Sequence, residues 1–372
     1  MASKTWGHHH MLFATSNDDE MVNPSQGEDN TVIANNAPTN EEVQTLPRFL
    51  ATGYTAASLL NIFAAVALAY NYPTISIATI SSTTSMTALT LTRYQPNFLA
   101  TYTAGTLGHF FLAGGTCHLL AEAVTTKRLV TSNTYKRLTM GTLIFGLLGL
   151  WSIPGEAGMN YADGRATFAL LLIQLTKFVT AVVSFIGWEY STKGSGVSNR
   201  MQHIIKEIGN GCKNVMKNMP VTDDRPATFY RTFFILITLL NPLCNLPELS
   251  FNMRQGIGGL FTLPVSLNIS SMARLGLLSV ILYVLKDAAE RDRLDGSTFI
   301  KLNMLVGLWA CGVGAAQGFG RGGFSIRRAA DKLLFAALFL NNGIISHLRK
   351  IGMMKTDDSN SDGDPPLRVN LF

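Results

Sequence analysis

Charge is what this sequence has least of. From Phe49 to Thr92 it runs 44 residues without an Asp, Glu, Lys or Arg, and about 20 apolar residues suffice to cross the hydrocarbon core of a bilayer. Similar charge-poor runs follow at 97–121, 138–153, 166–188, 232–247, 255–273, 302–320 and 333–348, interrupted only by Lys177. Soluble domains carry about 25% charged residues; this chain carries 15%, which excludes a soluble fold and places it in lipid. Cysteine is scarce as well. The four present, Cys117, Cys212, Cys244 and Cys311, form no CxxC pair, which excludes a disulfide framework or a zinc site and leaves them as small packing residues. There is no phosphate loop, HExxH, GxSxG or dinucleotide fingerprint in a fitting context. No cofactor is therefore implied, and the balance is against an enzyme.

The charge that is present sits between the apolar runs. A formal net charge of +6 would suit nucleic acid only if the basic residues clustered along a groove. Here they fall in connecting segments, where positive charge anchors loops on the cytoplasmic face. The partner implied is the lipid bilayer, with no nucleic acid. The fold class expected is all-α: a polytopic integral membrane helical bundle of about eight transmembrane helices, at 50–71, 97–121, 138–155, 166–188, 229–250, 264–285, 302–320 and 331–349. Residues 1–48 form an acidic tail and 351–372 an Asp-rich one, both read as disordered. Between them lie a first four-helix membrane repeat at 49–190, a basic linker at 191–228 and a second repeat at 229–350.

Segment 74–92 holds eleven Ser or Thr in nineteen residues, and hydroxyls compete for the backbone and weaken a lipid-facing helix. If it does not span, loop 122–137 and linker 191–228 fall on the same face as both termini. Their lysines and arginines are then cytoplasmic, as the positive-inside rule expects. The segment is read as an outer or re-entrant stretch, although Arg321, Arg327 and Arg328 then lie on the outer side.

The two halves read as copies. In Leu119–Met140 and Val284–Met304, Glu122 aligns with Asp287, Arg128 with Arg293, Arg137 with Lys301 and Met140 with Met304, with one residue gapped. An even number of spans per copy makes the repeats parallel, related by an axis along the membrane normal.

Ionisable side chains at membrane depth cost several kcal/mol unless partnered or wetted. Lys177, His109 and Arg274 lie midway along their spans, and His109 and Arg274 occupy the same place in the two copies. With Gln174, one turn before Lys177, and Glu248, at the end of a Pro-broken span, they are the candidate substrate-binding residues. For each, the alternative is a residue that snorkels or bonds a nearby carbonyl and only fixes helix register. In the linker, Val197–Met219 has apolar residues at helical spacing and Arg200, Lys206, Lys213 and Lys217 on the remaining faces. It is read as a surface helix on anionic headgroups. His118 and Glu122, four residues apart, form an ordinary helical pair.

Two functions of different kinds emerge: a transporter or channel for a small anionic or polar solute, and a non-transporting membrane organiser working through the linker helix. A lipid-modifying enzyme using His118 and Glu122 ranks third.

Overall fold

A computed structural model describes residues 40–82, 96–157, 164–192, 226–238, 263–320, 323–324 and 326–351, together with Gln202, Lys206, Gly209 and Lys213. These residues are almost wholly helical. The long helices are α1 (Asn40–Ser82), α2 (Pro96–Thr125), α3 (Asn133–Ala157) and α4 (Gly164–Thr192). They are followed by α5 (226–238), α6 (Leu263–Glu290), α7 (Ser297–Gly318) and α8 (Ile326–Lys350). A single helical turn, Arg128–Thr131, links α2 to α3. A minimal antiparallel pair, β1 (Phe319–Gly320) with β2 (Gly323–Phe324), links α7 to α8.

Four of these helices contain a stretch long and apolar enough to cross a membrane: Pro47–Tyr70, Leu171–Thr192, Ile269–Glu290 and Ser297–Gly318. The chain thus has the apolar helices of an integral membrane protein. The other predicted spans are less apolar or only partly described. Helix α8 strings Asp331, Lys332, Asn341, Asn342 and His347 along its length, and the second half of predicted span 229–250 lies outside the described residues.

Helix α1 does not stop at residue 71. It continues through Pro73 to Ser82, and its 43 residues rise about 65 Å at 1.5 Å each, well beyond one bilayer thickness. The first part of the Ser/Thr-rich segment therefore belongs to α1; residues 83–92 lie outside the described residues.

Helix α4 explains why the protein suits lipid. Phe168, Leu171, Leu175, Phe178, Val182 and Phe185 recur every three or four residues and are all exposed. They form an apolar stripe about 26 Å long, close to the roughly 30 Å hydrocarbon thickness. The opposite face buries Thr176, Lys177, Thr180 and Ser184. Apolar outside and polar inside reverses the pattern of a soluble bundle. The buried hydroxyls are bonded locally or across helices: Thr176 donates to the Leu172 carbonyl at 2.7 Å, and Ser184 to Thr142 Oγ1 at 2.9 Å.

Helix α1 packs on α2 and α4, and α3 on α4; α2 also meets α7, α3 meets α6, and α7 packs on α8. The α3–α4 crossing is close because Gly146 has no side chain: a Cβ there would lie 2.6 Å from Ala181 Cα. Helix α5 joins α6 and α8 through aromatic contacts, Phe234 with Tyr283 and Phe229 and Phe233 with Phe339.

Both α2 and α6 end in a left-handed residue, Lys127 (φ 58°) and Asp292 (φ 52°), the only non-glycine residues with positive φ among those described. The Lys127 N–H donates to the Val124 carbonyl at 3.1 Å, and the Asp292 N–H to the Ala289 carbonyl at 3.2 Å. Arg293 N–H reaches back to the Ala288 carbonyl at 2.8 Å, completing a Schellman cap that satisfies the last carbonyls of α6.

Candidate functional site

Lys177, His109 and Arg274 come from three helices, α4, α2 and α6, and line one cavity about halfway along the bundle. Each is buried, with 3%, 5% and 8% of its surface exposed. Phe110, Phe145 and Ala273 close the cavity with apolar walls, and no acidic residue lines it among the described residues. It has room for about one water molecule.

Each basic group is held by neighbours one turn away or on the facing helix. Lys177 Nζ donates to Ser152 Oγ on α3 at 2.8 Å, and Ser152 Oγ donates in turn to the Gly149 carbonyl at 2.7 Å. The lysine stem lies against Gly149, whose missing side chain leaves it space. Arg274 Nε donates to the Ser270 carbonyl at 3.1 Å, and its NH1 to Thr106 Oγ1 on α2 at 3.2 Å. The guanidinium approaches α2 this closely only because position 105 is glycine: a Cβ there would lie 2.7 Å from NH1.

His109 completes the set. Its Nδ1 bonds the Gly105 carbonyl. A carbonyl can only accept, so Nδ1 carries the proton and Nε2 presents a lone pair whenever the ring is neutral. That Nε2 is buried and has no hydrogen-bond partner. The ring sits edge-to-face with Trp309 of α7, centroids 5.3 Å apart at 74°.

Of the other candidates, Gln174 is half-buried on α4 and does not line the cavity. Glu248 lies outside the described residues, as do Arg200 and Lys217. Lys206 and Lys213 are helical and exposed, as are Gln202 and Gly209; their spacing of three and four places all of them on one face. Sequence reasoning missed Thr106, Ser270 and Ser152. The first two sit three or four residues before His109 and Arg274, where a helical turn brings hydroxyls and carbonyls beside a buried cation.

Ion pairs cluster where the α2–α3 and α6–α7 connections meet. Arg137 NH1 donates to Asp287 Oδ2 at 2.9 Å, and Lys301 Nζ to Glu122 Oε2 at 2.6 Å. Arg137 also lies over the Tyr283 ring, 4.9 Å from its centroid. The hydrogen bond from Lys301 holds the Glu122 carboxyl below the usual glutamate range. Lys286 and Arg231 both bond Glu290, each at 2.7 Å. Glu122, four residues after His118, is thus engaged by Lys301 of the facing helix. Among the described residues no group of three His, Cys, Asp or Glu is placed to hold a metal.

No protein-family model, no curated protein and no solved structure matches this chain, so its function is argued from its own residues.

Proposed function

We propose that this protein is a multi-pass membrane transporter or channel for a small anionic or polar solute, built as two parallel four-helix repeats with both termini cytoplasmic. The observation that carries the reading is the convergence of Lys177, His109 and Arg274 on one mid-depth cavity. Ionisable groups at membrane depth mark solute pathways more often than lipid-facing positions, and three of them from three helices meet here.

Pairs that cross between the halves support the repeat. Arg137 and Lys301 are equivalent in the alignment of the two halves, as are Asp287 and Glu122, and each cation bonds the acid of the other half. A two-fold relation generates such reciprocal pairs. The left-handed residues Lys127 and Asp292 are equivalent in the same alignment, and so are the helix contacts α2–α7 and α6–α3. The crossed pairs tie the halves together on the loop side, the face that must open for the cavity to exchange with the cytoplasm.

Solute uptake into proteoliposomes tests the proposal. Wild-type protein should pass small anions, and Lys177→Ala should lower the rate at least tenfold while remaining folded. Equal rates in the two proteins would remove the cavity from the function. The exposed Lys206 and Lys213 favour a second reading, organisation of anionic lipid by segment 197–219. Deleting that segment without loss of binding to anionic vesicles would dismiss it.

A further inference from the structure

We infer that the contacts joining the α2–α3 connection to the α6–α7 connection form a releasable latch, which opens the loop side of the bundle toward the cavity and reseals it. This rests on the transporter reading and adds to it the device that opens and closes the path.

Side-chain contacts cross directly between the two connections. Arg137 bonds Asp287 at 2.9 Å, Lys301 bonds Glu122 at 2.6 Å, and the hydroxyls of Tyr135 and Thr298 lie 2.7 Å apart. The neighbouring pairs Lys286–Glu290 and Arg231–Glu290 stay within α5 and α6, so they hold those two helices to each other and do not bridge the connections. Asp287 lies thirteen residues along α6 from Arg274, and Glu122 thirteen along α2 from His109, about 20 Å in each case. The crossing contacts therefore stand between the cavity and the solution on the loop side.

They are releasable because each acid has a further cation on its own side. Asp287 also bonds Arg291, one turn on along α6, at 3.2 Å. The Glu122 carboxyl is held by the charges of His118 and Arg128, from its own helix and the turn that follows, as well as by Lys301. Separation thus strands neither carboxylate. Of the two crossing cations, Lys301 is half-exposed and passes readily to water. Arg137 is buried and lies over the Tyr283 ring of α6, so it gives up that ring together with Asp287. The latch is therefore uneven: the buried pair holds it shut, and the exposed pair adds little.

The test measures distance on the full chain in liposomes. Spin labels are attached to keto amino acids placed at Thr131 and Asp295, both exposed and outside the crossing contacts, so the native cysteines stay. Pulsed electron–electron resonance of the otherwise wild-type chain should give a dominant shorter distance and a minor longer one. Asp287→Asn, which leaves Arg137 facing a neutral amide, should raise the ratio of longer to shorter by about tenfold or more. Glu122→Gln and Lys301→Gln should each raise it by less than about fivefold. Both alter only the exposed pair, so they carry the test where Asp287→Asn fails to fold.

An unchanged distance distribution in the folded variants would overturn the latch, and so would a larger shift in Glu122→Gln than in Asp287→Asn. Shifted distances in a protein that takes up no solute into vesicles would uphold the latch and defeat the transporter reading. Solute uptake with every distance unchanged would do the reverse.

Discussion

The Arg137–Asp287 and Lys301–Glu122 ion pairs differ in burial, so they make unequal predictions about stability. The side chains of Arg137 and Asp287 are 9% and 22% exposed; those of Lys301 and Glu122 are 48% and 45% exposed. At 2.9 Å and an effective dielectric of about 20, the Arg137–Asp287 attraction is about 6 kcal/mol before desolvation. Truncating Asp287 also leaves Arg137 buried, with the Tyr283 ring only partly replacing the carboxylate. A loss of about 2–4 kcal/mol is expected, somewhat below the cost of breaking a fully buried pair. Exposed pairs contribute about 0.2–1 kcal/mol, so Glu122→Ala should cost under about 1 kcal/mol. Unfolding by SDS titration in mixed micelles, run as double-mutant cycles on both pairs, measures this. Coupling larger at Lys301–Glu122 than at Arg137–Asp287 would refute the ranking by burial.

Gly146→Ala should lower stability by about 1–3 kcal/mol through overpacking against Ala181, whereas Gly312→Ala, where an added Cβ meets nothing within 4 Å, should not; thermal unfolding separates them. Tyr230 donates to Asn303 Oδ1 at 2.6 Å and accepts from Asn342 Nδ2 at 3.3 Å. Tyr230→Phe should therefore cost about 1–3 kcal/mol by leaving a buried acceptor unpaired, measured by the same SDS titration. Glu122 has a lowered folded pKa, so its stabilisation is present above the unfolded glutamate value of about 4.3 and is lost as pH falls through the lower folded value. Thermal unfolding followed across that acid window should show a small loss in wild type that Lys301→Met abolishes; an equal loss in both would contradict it.

The sequence made the helices legible because charge-poor runs and the charged breaks between them are one-dimensional signals. Lys177, His109 and Arg274 stood out for the same reason, as rare ionisable residues inside such runs. The alignment of Glu122 with Asp287 and of Arg137 with Lys301 was also visible. Their exchange of partners was not, because periodicity identifies a helix face without identifying the neighbour opposite it. Gly105 gave no warning of its role: only the approach of Arg274 from another helix makes the absent side chain matter. The continuation of α1 through Pro73 was hidden by two local signals, the proline and the hydroxyl-rich stretch behind it. Each disfavours a helix interior, and neither is strong enough to end a helix already propagating. Thr106, Ser152 and Ser270 were indistinguishable from the many other hydroxyls until the bundle placed them beside buried cations.

Uptake of a panel of small anionic and polar solutes into proteoliposomes, wild type beside Lys177→Ala and Arg274→Ala, decides the cavity's role in transport. Wild-type vesicles should take up at least one solute that both variants, still folded by circular dichroism, pass at least tenfold more slowly. Equal uptake by all three proteins, or no uptake beyond protein-free vesicles, would contradict that role.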